Sequence, residues 1–156
     1  SRNRPANPRG TTETMSERAT VAFVCVQNAG RSQMAAAFAR REAAERELDG
    51  EVEIITGGTR PADDVHGEVV RAMRAVDVDV GERTPREVTV DELRDSDYVV
   101  TMGCSAEDVC PAGWAGENRD WELEDPDGKP PERVAEIRDE IESRVGALFD
   151  ELESVP

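Results

Sequence analysis

The 156-residue chain has a single lysine, Lys129, and a single histidine, His66, and only 4% of its residues are aromatic. Against 35 acidic residues stand 19 basic ones, almost all arginine, for a formal net charge of -16. Such a field repels phosphate backbones and anionic lipid, which argues against nucleic acid and membranes as partners. No apolar run reaches the roughly 18 residues of a membrane-spanning helix, and no charged-then-apolar leader is evident, so a cytoplasmic location is expected. Cysteine is scarce too. Cys25, Cys104 and Cys110 are an odd number, which in a reducing compartment favours nucleophilic or redox chemistry over a disulfide framework. These thiols and His66 lack the close pairs usual for zinc, and no metal or cofactor is expected.

Acidic, lysine-poor and aromatic-poor composition also suits disordered chains. Here, however, the apolar residues fall in strand and helix periods. A folded protein adapted to concentrated salt fits both facts, since high ionic strength screens the self-repulsion. The length suits one domain with a substantial core. Residues 1–19 lack any period and contain Pro5, Pro8 and Gly10, so a disordered extension is expected before a domain spanning 20–156. Up to Thr12 the extension carries Arg2, Arg4 and Arg9 but no carboxylate, which makes Met15 a candidate natural start. The intact mass of the protein made in its own cells tests that.

The periodicity predicts a buried strand over Thr20–Val26, a helix over Ser32–Leu48 and a second strand at Val52–Ile55. Strand, helix, strand is a parallel unit with a right-handed crossover. The glycines of Thr56-Gly57-Gly58-Thr59 allow close backbone approach. Asp63 or Asp64 is expected to cap a helix running to Val76. A short helical turn follows at Val90–Arg94, and a third strand at Tyr98–Met102. Trp121-Glu122-Leu123 is the expected fourth strand. A last helix opens at Pro130 or Pro131, with Val134, Ile137, Ile141, Val145, Leu148 and Leu152 in one apolar stripe.

The candidate site is Cys25-Val26-Gln27-Asn28-Ala29-Gly30-Arg31-Ser32, where a strand stops at a thiol and a helix begins. A tight loop there turns backbone N–H groups inward, and the positive end of the helix dipole points at the same spot. Helix terminus and guanidinium both favour thiolate over thiol. Arg31 can grip two oxygens of a tetrahedral anion with its planar fork, and Ser32 can hydrogen-bond the sulfur. The stretch is thus a nucleophile and an anion cradle in one turn. Met102-Gly103-Cys104 ends a strand in the same way, and loops at the carboxyl ends of parallel strands share one rim, so Cys104 can face Cys25.

That loop, followed by Gln33-Met34-Ala35 and by a late Asp125-Pro126, resembles the low-molecular-weight tyrosine phosphatase superfamily. The thioredoxin-coupled arsenate reductases within it are the closer match. Gly58-Thr59-Arg60-Pro61-Ala62, Val99-Val100-Thr101-Met102-Gly103-Cys104 and Cys110-Pro111 point that way. The resemblance, from about Thr20 onward, implies a single α/β domain: a four-stranded parallel sheet flanked by helices on both faces. It implies Cys25 as nucleophile, Asn28, Arg31 and Ser32 as loop residues, Asp125 as general acid, and Cys104 and Cys110 as a redox pair. The loop residues Val26, Gln27, Ala29 and Gly30 complete the oxyanion cradle. Gly30 stands where some members carry a further cysteine, and His66-Gly67 replaces the usual Asn-Pro.

The implied reaction is reduction of arsenate to arsenite, with the disulfide passed from Cys25–Cys104 to Cys104–Cys110 and then to a thioredoxin-like dithiol. Ser105–Val109 must then move or already loop to bring the pair within about 7 Å between Cα atoms. A phosphotyrosine phosphatase would use Cys25, Arg31 and Asp125 without the other cysteines. A non-catalytic anion or redox sensor would bind without turnover. Asp125 before Pro126 is also ordinary turn chemistry, and His66 reads as a surface or cap residue.

Overall fold

A computed structural model describes residues 19–48, 50–103 and 116–154. The elements are β1 (Ala19–Cys25), α1 (Arg31–Glu45), β2 (Val52–Gly58), α2 (Gly67–Arg74), α3 (Val90–Arg94), β3 (Tyr98–Met102), β4 (Glu117–Asp120) and α4 (Pro131–Ser154). The four strands form one sheet in the order β2-β1-β3-β4, every neighbouring pair parallel.

Strand alternation divides the core in two. Val21, Phe23 and Cys25 point to the face covered by α1, α2 and α4, while Ala22 and Val24 meet Leu93 of α3 on the other. Helices therefore flank both faces, as expected. The α4 stripe buries Val134, Ile137, Ile141, Val145 and Leu148 against that first face.

α1 stops at Glu45, three residues before the expected end. Glu47 turns left-handed at φ 59, its N–H reaches the Ala44 carbonyl, and Leu48 N–H reaches that of Ala43. This is a Schellman closure, which folds Leu48 back onto the core.

Two further expectations need correction. The fourth strand is Glu117–Asp120, not Trp121–Leu123. β4 is an edge strand, and its polar Glu-Asn-Arg-Asp sequence gives no apolar signal because edges are kept charged. Trp121 instead sends its ring into the core, 5.9 Å from that of Phe23 between centroids. α2 starts at Gly67, with His66 as an extended N-cap making no side-chain cap bond, so neither Asp63 nor Asp64 caps it. Tertiary bonds explain the delay: the N–H groups of Thr59, Arg60, Ala62 and His66 donate to the carbonyls of Cys25, Val26, Gln27 and Ala29. A segment laced along the Cys25 loop cannot also be helix.

Candidate active site

Cys25 ends β1 and Arg31 begins α1, so residues 26–30 form the loop between the sheet's carboxyl rim and a helix N-terminus. In a chain with 35 acidic residues, the first turn of α1 has none, and no side chain caps it. An unneutralised helix start suits an anion.

The Cys25 sulfur is 3% exposed by residue and has two polar neighbours. Asn28 N–H donates to Sγ at 3.2 Å, and Ser32 Oγ lies 2.8 Å from it. Both contacts suit a thiolate, which accepts and does not donate. Among the described residues this thiol is free.

Asn28 holds the loop's shape. Its φ of 53 is the left-handed conformation that asparagine tolerates better than most residues. Its fully buried side chain donates to Ser32 Oγ (2.8 Å) and Thr56 Oγ1 (2.9 Å), and accepts from Gln33 Nε2 (3.1 Å) and Arg86 N–H (3.1 Å). Gly58 passes close behind: a Cβ there would lie 2.5 Å from the Val26 carbonyl oxygen, and one on Gly57 would meet Val88. The expected close approach at these glycines is real.

Arg31 is 13% exposed, donates from Nη1 to the Leu123 carbonyl at 3.0 Å, and has Asp125 Oδ2 3.8 Å from Nη2. Gly103, at φ +82, makes room for it, since a Cβ there would sit 2.7 Å from Nη2. Asp125 is 57% exposed, and its Oδ1 also accepts the Asp127 N–H, the turn chemistry read from Asp-Pro. Asp125 thus makes the ordinary turn contact and also faces the Arg31 guanidinium. Pro126 packs over Gly30, where a Cβ would come within 3.2 Å of its ring. His66 Nε2 lies 3.1 Å from Gln27 Oε1, so the residue at the N-cap position of α2 turns its ring to the loop and walls the site.

A pocket of about 300 Å³ results, lined by Cys25, the loop through Arg31 apart from the buried Asn28, His66, Gly103, Asp125 and Asp127. The structure thus brings Cys25, the loop and Asp125 together. Cys104, Cys110 and the segment Ser105–Val109 lie outside the described residues. Local sequence did not reveal Thr56, Gln33, Arg86 and Gly103 as supports. Each reaches the loop across 28, 5, 58 or 72 positions of sequence, and of the four only Gln33, in the motif after the loop, and Gly103, beside a strand end, carry any signal.

A strand-loop-helix anion cradle with a cysteine at its base, on a parallel sheet, defines a cysteine-dependent phosphatase-type domain. The chain belongs to the low molecular weight phosphotyrosine protein phosphatase family, whose family model matches residues 20–155. Within that family its similarity runs to arsenate reductases. It is 58% identical over 129 residues to a Halobacterium salinarum protein whose name provisionally assigns it to arsenate reduction, covering 83% of this chain and 89% of that one. The solved Corynebacterium glutamicum thioredoxin-dependent arsenate reductase superposes with a TM-score of 0.73 at 36% identity, over 90% of this chain and 64% of that one. An arsenate reductase in its phosphate-binding state gives a TM-score of 0.70 at 30% identity, over 86% of this chain and 98% of the other. Among the described residues, no helix is long and apolar enough to cross a membrane.

Proposed function

We propose that this protein reduces arsenate to arsenite and is regenerated by a thioredoxin-like dithiol. The observation that carries the reading is the Cys25 sulfur, held by Asn28 N–H and the Ser32 hydroxyl beneath a helix start and an arginine. Arsenate enters as a phosphate-like oxyanion, gripped by the loop amides and Arg31.

Cys25 thiolate displaces one oxygen from arsenic(V), and Asp125 supplies the proton with which that oxygen leaves as water. Cys104 thiolate then attacks the Cys25 sulfur. The sulfur–arsenic bond breaks with its electron pair passing to arsenic, which leaves as arsenite, and a Cys25–Cys104 disulfide remains. Cys110 attacks Cys104, frees Cys25 and carries the disulfide to where an external dithiol reduces it. We place this chemistry in a reducing cytoplasm at high salt, which the -16 charge suits.

The same loop supports phosphate ester hydrolysis through a phosphocysteine, and Asp125 beside Arg31 suits that leaving group equally. The cysteine pair separates the two readings. Arsenite release from arsenate with thioredoxin, thioredoxin reductase and NADPH should be sustained by the wild type and lost in Cys104→Ser and Cys110→Ser. Aryl phosphate hydrolysis unaffected by either change, without arsenite, would establish the phosphatase instead. Tight arsenate binding with neither turnover would mark a sensor.

A further inference from the structure

At the outer edge of the sheet, α1, β2 and residues 82–86 enclose a second cleft of about 340 Å³, separate from the Cys25 pocket. Three arginines line it, Arg40, Arg83 and Arg86, against two carboxylates, Glu82 and Glu92. That is an excess of positive charge in a chain of net charge -16.

The third guanidinium is already engaged. Arg86 meets both Glu92 oxygens, at 2.7 and 2.8 Å, and the Thr56 carbonyl at 2.9 Å. Arg40 and Arg83 have no carboxylate partner among the described residues. Burial, and then the neighbouring Arg83 charge, lower the Arg40 pKa, so the two guanidinia repel each other across a partly dry space.

Two buried polar atoms here have no hydrogen-bond partner, Arg40 Nη1 and Gln33 Oε1. The orientation of the Gln33 amide is fixed, because its Nε2 faces two acceptors, Asn28 O at 3.0 Å and Asn28 Oδ1 at 3.1 Å. Its oxygen is therefore an acceptor without a donor, and Arg40 Nη1 is a donor without an acceptor. An unpaired buried group of either kind destabilises the fold until something completes it.

We propose that this cleft is a second anion site, taking a small protonated tetrahedral oxyanion such as hydrogen phosphate. Both unpartnered atoms are sealed from solvent, so the ion's negative oxygens pair with Arg40 and Arg83 and its hydroxyl donates to Gln33 Oε1 once the Arg40 side chain turns aside to admit it. Chloride and sulfate, having no proton to give at neutral pH, satisfy only the arginines. A cation would suit Gln33 but meets two free guanidinia. The site also bears on the Cys25 loop, because Gln33 and the Arg86 N–H both hold Asn28. An ion seated on Gln33 braces that loop from behind.

The test is equilibrium dialysis of the full-length protein against radiolabelled inorganic phosphate at neutral pH and constant potassium chloride. Wild type should bind two ions per chain, Arg31→Ala one, Arg83→Gln one, and the double variant none. Arg83 is exposed, so its replacement leaves the fold intact. One ion on the wild type, none on Arg31→Ala, or two on Arg83→Gln would overturn the site. At the site that Arg31→Ala retains, sulfate should compete on the order of tenfold less well than phosphate, the effect of leaving one acceptor unpaired. Equal competition by sulfate would overturn the role of Gln33. Stronger competition by AMP than by phosphate would overturn the assignment to a free ion. None of this depends on arsenate reduction, so either reading can fail alone.

Discussion

Asn28 carries the loop by two separable means, its left-handed backbone and its side-chain bonds, and two substitutions measure them apart. Asn28→Gly keeps the conformation at φ 53 and removes the side chain. Four hydrogen bonds go with it, to Ser32, Thr56, Gln33 and the Arg86 N–H. At about 1 kcal/mol net per bond the loss would be about 4 kcal/mol. Thr56 keeps its bond to the Phe23 carbonyl and Gln33 its bond to Asn28 O, which lowers the expectation to about 3 kcal/mol. Asn28→Ala adds about 1 kcal/mol for forcing a Cβ into the left-handed region. Urea unfolding at high salt reads both, with midpoints lowered by roughly 1–3 M at usual slopes. Alanine should be the worse of the two, although it is the better residue almost everywhere else. An alanine variant as stable as the glycine one, or a loss under about 1 kcal/mol for both, would refute this account of the loop.

Gly103→Ala should displace the Arg31 guanidinium, because its Cβ would lie 2.7 Å from Nη2. Turnover should fall by roughly 10²–10³, the usual effect of removing one oxyanion donor, with weaker phosphate inhibition alongside; unchanged inhibition would contradict it. The Gly128 N–H holds the Glu68 carboxylate below the ordinary glutamate value, tying the Asp125 turn to α2. A lowered folded pKa means stability that is full above about pH 4.3 and lost as pH falls through the folded value. Glu68→Gln should therefore show a shallower decline in stability on the acid side than wild type, and parallel profiles would exclude the tie. Thermal stability should rise from about 0.1 to 1 M potassium chloride as the screening length contracts from roughly 10 to 3 Å, and a fall would reject adaptation to salt.

How much was legible in the sequence depends on the range of the interactions involved. The Cys25–Ser32 loop was readable because strand, turn and helix start are adjacent in the chain, and α4 because its stripe repeats every three or four residues. β4 lies a few residues before the apolar Trp121–Leu123, since an edge strand needs no apolar alternation and the apolar signal of Trp121 belongs to its own core contact. α2 began later than its acidic cap candidates suggested, because residues 59–66 bond to the backbone of the Cys25 loop, a pairing no local pattern announces. Thr56 and Arg86 look ordinary in sequence, and Gln33 stands out only as part of the motif that follows the loop. They matter only where folding gathers them around Asn28.

The measurement that tests the central claim most directly is a single turnover of Cys110→Ser with one equivalent of arsenate and no external thiol, followed by peptide mass spectrometry. The account predicts one arsenite released and a disulfide joining the Cys25 and Cys104 peptides, trapped because the resolving thiol is gone. Cysteines left fully reduced, with no arsenite formed, would contradict it.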